Sequence, residues 1–186
     1  MPTDLIADLE WRGLLKQTSD LEAIHEALKT PQTFYCGFDP TADSLHIGNL
    51  LPLMALRRVQ EHGHKAIAIL GGGTGLIGDP SGKANERTLN TPEVVASYVE
   101  KIGVQVRTIL DPEKTIVVNN GDWIGSMSAV HLLRDVGKNF SISVMLSRES
   151  VSARLENGIS FTEFTYMILQ AYDFVKLFDL HGCRFQ

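Results

Sequence analysis

Chemically capable residues cluster near position 40, between a strand-like and a helix-like segment. Asp39 follows the strand-like segment 33–38, and His46, Gly48 and Asn49 open the helix-like segment. Helix N-termini expose unpaired N–H groups and a partial positive charge, which favour phosphate. Open α/β sheets bind ligands at the carboxyl ends of their strands. This order predicts a site for a phosphate-bearing ligand such as a nucleotide.

A second polar group lies on the late, mostly apolar segment 161–179. Tyr166, Gln170 and Asp173 are spaced i, i+4 and i+7, so a helix would place them on one face. Buried polar groups need partners, and such a face would fit a binding pocket. The same spacing is equally compatible with a polar face turned to solvent.

A glycine-rich loop follows the second strand-like segment, and residues 73–78 match the pattern GxGxxG. One interpretation is an NAD-dependent oxidoreductase, but the next residues, 79–82 (Asp-Pro-Ser-Gly), favour a turn over the required helix. A second interpretation is an ordinary flexible loop. A third is that residues 71–73 let backbone approach a nucleotide while Asp79 supplies a carboxylate.

Two cations, Lys83 and Arg87, lie further along the same loop. Most loop charges are simply solvated. Cations near a triphosphate would instead stabilise charge that develops on a leaving pyrophosphate.

Apolar segments of strand length alternate with segments of helical periodicity along the whole chain. The alternation predicts parallel βαβ units, and hence an α/β, Rossmann-type open parallel sheet flanked by helices. We expect residues 1–186 to form one portion of a nucleotide-binding domain, with no linker or second domain. Predicted strands are 33–38, 65–70 and 115–119; predicted helices are 21–28, 48–61, 91–110, 128–136, 147–156 and 161–179.

Composition narrows the class of protein. A net charge of −5 and two cysteines without a CxxC motif argue against a nucleic-acid-coating protein, a zinc site and a disulfide framework. The sequence has no signal-peptide pattern and no apolar run of about 18 residues. We therefore expect a soluble cytoplasmic protein without membrane contact.

The string His-Ile-Gly-Asn at 46–49 resembles the HIGH signature of class I aminoacyl-tRNA synthetases, with Asn49 in the last position. Together with residues 35–45 and Gly-Asp-Pro-Ser-Gly-Lys at 78–83, it resembles the bacterial-type tyrosyl-tRNA synthetases. The resemblance runs from residues 11–14 to 182–184. It implies the N-terminal portion of a class I catalytic domain.

The resemblance implies ATP, carrying Mg²⁺, as a substrate, and no tightly bound metal. Nothing in this reaction requires a nucleophilic side chain, because the amino acid's carboxylate attacks the α-phosphate; positioning and charge stabilisation do the rest. The catalytic set would be Thr41, His46, Asn49, Lys83 and Arg87. The ATP-binding set would be Cys36, Gly37, Asp39, Thr41, His46, Gly48 and Asn49.

The resemblance also implies a tyrosine pocket. Tyr35 and Asp173 match the pair that reads the substrate phenol. Asp79, Tyr166 and Gln170 match the group that holds its ammonium. Asn120, with Trp123, matches a stretch beside the pocket.

Further expectations follow from the family alone. Its KMSKS-type loop and tRNA-binding domain are not in the sequence, so we expect a piece of a longer tyrosine–tRNA ligase whose isolated activity is in doubt. L-Tyrosine, ATP and tRNA(Tyr) are the implied partners. Residues 131–140 resemble the interface of a homodimer. The alternatives left open are the oxidoreductase and a catalytically inactive fragment that binds ATP or tyrosine.

Overall fold

Three parallel strands form the sheet of the computed structural model, which describes residues 4–79, 89–152, 154–155 and 158–186. The strands are β1 (Thr33–Phe38), β2 (Lys65–Leu70) and β3 (Thr115–Asn119), in the spatial order β1-β2-β3. Thr33 pairs with Lys65, and Ala66 pairs with Thr115. The structure confirms the predicted α/β fold and all three predicted strand boundaries.

Local capping signals explain where the two longest helices begin and where the longer of them ends. Thr91 caps a helix that starts at Pro92, and Ser160 caps the helix that Gly182 ends with a φ of +62°. Among the described residues, no helix has both the length and the apolarity to cross a membrane. The helices are α1 (Leu5–Trp11), α2 (Leu21–Ala27), α3 (Ile47–Glu61), α4 (Pro92–Ile109), α5 (Gly121–Ile124), α6 (Ala129–His131), α7 (Ile142–Leu146), α8 (Glu149–Ser152) and α9 (Phe161–His181).

Helices cover both faces of the sheet, and β2 shows this most clearly. Its side chains alternate between two apolar clusters, with Ala66 and Ala68 on one face and Ile67 and Ile69 on the other. Residues of α3 and α4 pack on the first face, and Leu177 of α9 packs on the second. Five of the six β2 residues are therefore buried, as expected for a parallel strand covered on both sides.

Residues 128–140 depart from the predicted single helix. A short α-helical turn passes into a π-helical segment, Leu132–Val136, and then into a 3₁₀ turn, Gly137–Asn139. Gly137 does not end the helix, because it has a right-handed φ of −60° and the helical bonding continues through it. Helices α1, α5 and α7 were also not predicted; the side chain of Asp4 caps α1.

After α9 the chain returns to the free side of β1. Phe185 forms a parallel bridge with Phe34, and the N–H of Tyr35 donates to the carbonyl of Phe185 at 2.9 Å. β1 therefore has β2 on one side and residues 183–186 on the other, so the strand order reverses there. Open α/β sheets bind their ligands in the crevice at such a switch point.

Candidate active site

A cavity of about 670 Å³ opens where the strand order reverses, beside the carboxyl end of β1. Of the predicted site residues, Gly48 is not part of its lining, and Lys83 and Arg87 lie outside the described residues. The predicted residues that line the cavity are Tyr35, Cys36, Gly37, Asp39, Thr41, His46, Asn49, Asp79, Asn120, Tyr166, Gln170 and Asp173. One cavity thus brings together residues from both ends of the chain.

The start of α3 is built as a reciprocal capping box. His46 Nδ1 accepts a hydrogen bond from the N–H of Gly48 at 3.0 Å, and Asn49 Oδ1 accepts one from the N–H of His46 at 3.1 Å. Because Nδ1 is an acceptor, a neutral His46 carries its proton on Nε2. Among the described residues no acceptor takes its Nε2–H or the NH₂ group of Asn49, so both can donate to a ligand at the N-terminus of the helix.

Asp173 is buried at the opposite wall and is held by two donors. The indole N–H of Trp123 donates to its Oδ1 at 2.7 Å, and the amide of Asn120 donates to its Oδ2 at 2.9 Å. Burial raises the pKa of Asp173 to about 6, and these two hydrogen bonds oppose that rise. The carboxylate is thus oriented, and its remaining lone pairs can accept from a ligand.

Asn120 connects this carboxylate to the middle of the cavity. Its Oδ1 accepts from the backbone N–H of Gly73 at 2.8 Å, which fixes the amide orientation, so its Nδ2 must donate. Nδ2 donates to Asp173 and to Thr74 Oγ1, the latter at 3.0 Å. The amide therefore already has protein partners on both its oxygen and its nitrogen, and it acts on Asp173 from within the protein.

Thr74 and Tyr166 extend the chain of hydrogen bonds to a second carboxylate. The hydroxyl of Thr74 donates to Asp39 Oδ1 at 2.7 Å, and the hydroxyl of Tyr166 donates to Asp39 Oδ2 at 2.8 Å. Burial, followed by the charge of Asp39, raises the pKa of Tyr166. Asp173, Asn120, Thr74, Asp39 and Tyr166 therefore form one continuous network along the cavity wall.

Negative charge dominates the described lining. Asp39, Asp79 and Asp173 all line the cavity, and no described lysine or arginine does. The charge of Asp79 also raises the pKa of Tyr166, so these two side chains share one region of the cavity. Such a lining favours a cationic group such as an ammonium. The described residues contain no cluster of His, Cys, Asp or Glu side chains arranged for a metal ion.

Tyr35 lies on β1 with its ring edge against Phe174 of α9, at a centroid distance of 5.2 Å. Burial, followed by the negative charge of Asp173, raises the pKa of its phenol. Cys36, the next residue of β1, is half-buried, and burial raises the pKa of its thiol to about 11. The thiol is therefore protonated at neutral pH and suited to weak polar contact, not to nucleophilic attack.

The glycine loop has a packing role that the GxGxxG pattern does not reveal. A Cβ atom on Gly71 would lie 2.0 Å from Asp39 Oδ1, and one on Gly72 would lie 2.1 Å from Asn119 Oδ1. Thr74–Leu76 is a single 3₁₀ turn, and Gly78 has a φ of +85°, which an α-helix does not permit. The dinucleotide interpretation therefore lacks the helix that it requires.

Thr74 is the site residue that sequence reasoning missed. It is buried, lines the cavity and makes hydrogen bonds to Asp39 and Asn120, which are 35 and 46 residues away. A threonine between glycines after a strand was the available signal. It carries no indication of such distant partners.

Comparison with known proteins gives the family. Residues 27–181 match the family described as tRNA synthetases class I (W and Y). The chain belongs to this family. Membership confirms the predicted resemblance to class I synthetases, and no comparison supports the oxidoreductase or the inactive-fragment alternative.

Curated relatives point to the tyrosine branch of the family. The chain is 55% identical to a tyrosine–tRNA ligase of Desulfitobacterium hafniense and 54% identical to one of Bacillus caldotenax. Each match covers 98% of this chain, but only 44% and 45% of the respective relative. The chain thus spans less than half the length of these relatives.

Solved structures agree with the fold. A C-terminally truncated mitochondrial tyrosyl-tRNA synthetase of Aspergillus nidulans superposes with a TM-score of 0.85 at 30% identity, over 98% of this chain and 56% of that one. A tyrosyl-tRNA synthetase of Archaeoglobus fulgidus, complexed with L-tyrosine, superposes with a TM-score of 0.63 at 20% identity, over 84% of this chain and 46% of that one. The second likeness concerns the fold alone.

Proposed function

We propose that the protein containing this chain is a tyrosine–tRNA ligase. It would activate L-tyrosine with ATP to tyrosyl-adenylate and then transfer the tyrosyl group to tRNA(Tyr). The observation that carries the proposal is that Tyr35 and Asp173 line the same cavity as Asp79, Tyr166 and the first residues of α3. The names of the curated relatives support the same reaction.

The chemistry of the lining fits each part of tyrosine. Asp173, oriented by Trp123 and Asn120, would accept a hydrogen bond from the substrate phenol, and Tyr35 would form a second hydrogen bond with the same hydroxyl. The ammonium group would lie by Asp79 and Tyr166, where negative charge accumulates, with Gln170 beside it. An amino acid without the hydroxyl would leave the remaining lone pairs of the buried Asp173 carboxylate without a ligand donor, at a cost in binding free energy.

Adenylate formation would need placement and charge stabilisation. A carboxylate oxygen of tyrosine attacks the α-phosphorus of ATP, the P–O bond to the β-phosphate breaks, and pyrophosphate leaves. We assign His46, Thr41 and Asn49 as donors to the phosphates, with Lys83 and Arg87 as cations for the leaving group. ATP would arrive with Mg²⁺ as part of the substrate, and Cys36, Gly37, Asp39 and Gly48 would contact its nucleoside end or the backbone around it.

We further propose that this chain is the N-terminal portion of one nucleotide-binding domain. It spans less than half of its curated relatives, and contacts with tRNA would come mainly from regions outside it. Tyrosine, ATP and tRNA meet in the cytoplasm, where we propose that the protein acts.

Residues 131–140 support a proposed homodimer. Val136 is buried, so it belongs to the core, but Leu133 is 65% exposed and neighbouring Val130 is 69% exposed. Exposed apolar side chains on adjacent turns fit a self-complementary interface. Light scattering of the full-length protein at micromolar concentration should give the mass of a dimer, and a monomer would refute the proposal.

ATP–pyrophosphate exchange by the full-length protein tests the proposed reaction. We expect exchange with L-tyrosine, and much less with L-phenylalanine or L-tryptophan at equal concentration. Charging of tRNA(Tyr) should follow when tRNA is added. Exchange that depends on tryptophan, or no exchange with any amino acid, would overturn the proposal.

A further inference from the structure

The loop that carries Thr41 and His46 has little support of its own. It joins β1 to α3, and both side chains are exposed. Its local hydrogen bonds are short-range, such as that from the N–H of Thr41 to the carbonyl of Asp39. Something outside the loop must therefore fix its path between the strand and the helix.

Helix α4 provides two polar contacts to this loop. The side-chain oxygen Oε1 of Gln105 accepts a hydrogen bond from the N–H of Leu45 at 2.8 Å. One turn earlier, Lys101 Nζ lies 3.4 Å from Asp43 Oδ2. Lys101 and Gln105 are four residues apart, so they lie on one face of the helix.

The two contacts differ in strength. The ion pair is more than half exposed on both sides, so solvent screens it and its contribution is small. The Gln105 contact is partly buried, and it holds the backbone of the residue directly before His46. Leu45 itself packs against the apolar cluster below.

Gln105 is a firm point of attachment because its helix is firmly placed. Its neighbours Ile102 and Val106 are buried in the cluster that contains β2, and Gly103 allows close approach to Leu70. A hydrogen bond to an acceptor on such a helix fixes the loop backbone relative to the core. The bond at Leu45 then sets where the capping box of His46 and Asn49 begins.

We propose that Gln105 is a positioning residue for His46 and Thr41. It lies outside the cavity lining and would act only by holding the backbone of Leu45. The kinetic consequence of this inference rests on the proposed function. In an enzyme, misplacement of a reacting group by about 1 Å can lower the rate by orders of magnitude. The structural part of the inference, the ordering of residues 45–49, does not depend on that function.

The kinetic test compares Gln105→Met with Gln105→Glu in the full-length protein. Methionine keeps the length of the side chain and removes the acceptor, so kcat for adenylate formation should fall about three- to tenfold, the range expected for one hydrogen bond. KM for tyrosine should stay within about twofold, because His46 and Thr41 do not contact tyrosine in this proposal. Glutamate keeps an acceptor and should restore kcat, and Lys101→Met should leave kcat within about twofold.

Hydrogen exchange gives a readout that does not require activity. The amides of residues 45–49 should lose protection in Gln105→Met and keep it in Gln105→Glu. The proposal is overturned if the folded Gln105→Met protein matches the wild type in amide protection and in kcat. It is also overturned if the Gln105→Glu variant does not keep wild-type values of both. The protein could also show the altered amide protection but no tyrosine-dependent ATP–pyrophosphate exchange. In that case Gln105 would still hold the loop, and only the proposed function would be refuted.

Discussion

The two ends of the cavity are built in opposite ways. At one end Asp173 is buried and receives hydrogen bonds from Trp123 and Asn120. At the other end His46 and Thr41 are exposed, and His46 is held by its own helix cap. The first end is held in place by internal hydrogen bonds before any ligand arrives. The second end presents donors that no described residue engages.

This difference matches two kinds of task. A group that must distinguish one substrate from another gains from being buried and fixed, since a wrong ligand then fails to supply the hydrogen bond that the group is oriented to accept. A group that meets charge only as the transition state forms should contribute little to ground-state binding. The comparison therefore predicts that mutations at the two ends change different kinetic quantities.

His46 should give the largest effect, and it should be on rate. Removing its Nε2–H donor in His46→Ala should slow adenylate formation by roughly 10²- to 10³-fold, the range for a lost donor to developing charge. Tyrosine affinity should change little. Single-turnover measurement of adenylate formation in the full-length protein, with tyrosine binding measured separately, checks both.

His46→Asn separates catalysis from helix capping. Asparagine is a good N-cap residue, so α3 should keep its stability while the imidazole is lost. His62→Ala, at the other end of α3, is the matched control and should keep the rate. A large loss of tyrosine affinity with an unchanged rate in His46→Ala would contradict the comparison.

The sheet and its motifs were predictable from the sequence because their signals are local. β2 reads as a continuous apolar run, and Thr91-Pro92 and Gly182 are local capping signals for α4 and α9. The π-helical segment Leu132–Val136 was not, since Gly137 suggested an end where the helical bonding continues. Its conformation depends on packing that the local pattern does not contain.

The site was predictable only in part, for a related reason. The resemblance to known synthetases supplied Tyr35, Asp79 and Asp173, which spacing alone could not bring together. The network through Thr74 and the contact from Gln105 to Leu45 join residues 35 to 60 positions apart. Such pairs appear only when the tertiary structure is known.

Acid pH should weaken tyrosine binding at the end of the cavity that contains Asp173. Burial raises the pKa of Asp173 to about 6, so the ionised form that accepts the tyrosine hydroxyl is lost as pH falls through that value. Affinity for tyrosine should therefore fall by up to about tenfold per unit below pH 6, while affinity for phenylalanine should not. Tyrosine and phenylalanine binding to the full-length protein between pH 5 and 8 is the measurement.

Asp173 should affect folding stability in the opposite direction: rising pH favours tyrosine binding but lowers the contribution of this group to the free energy of unfolding. The unfolded state loses this proton near its ordinary pKa and the native state near 6, so the contribution of Asp173 to stability decreases as pH rises between those values. Asp173→Asn should remove both dependences. A tyrosine-binding profile with the same midpoint near pH 6 in Asp173→Asn would assign the titration to another group.

The hydroxyl of Thr74, which joins Asp39 to Asn120 in the network, should contribute to the stability of the fold. Thr74→Val removes the hydroxyl and leaves Asp39 Oδ1 and the Asn120 amide each short of one partner, at a cost of about 1–3 kcal/mol in the free energy of unfolding. Thr74→Ser keeps the hydroxyl and should lose much less. Urea unfolding of the full-length variants measures the difference, and equal losses in both would mean that the methyl group, not the network, stabilises the site.

Substitution of Tyr35 should give the smallest change in rate, and it tests most directly whether the site recognises the substrate hydroxyl. Tyr35→Phe deletes one neutral hydroxyl and keeps the ring that packs on Phe174, so the fold should be unaffected. One neutral hydrogen bond contributes about 0.5–1.5 kcal/mol, so kcat/KM for tyrosine should fall roughly two- to tenfold and that for phenylalanine should hardly change. ATP–pyrophosphate exchange with both amino acids on the full-length protein decides this. Equal losses for the two substrates would mean that Tyr35 only packs in the wall, and the reading of the hydroxyl would then rest on Asp173, with Trp123 and Asn120 as its supports.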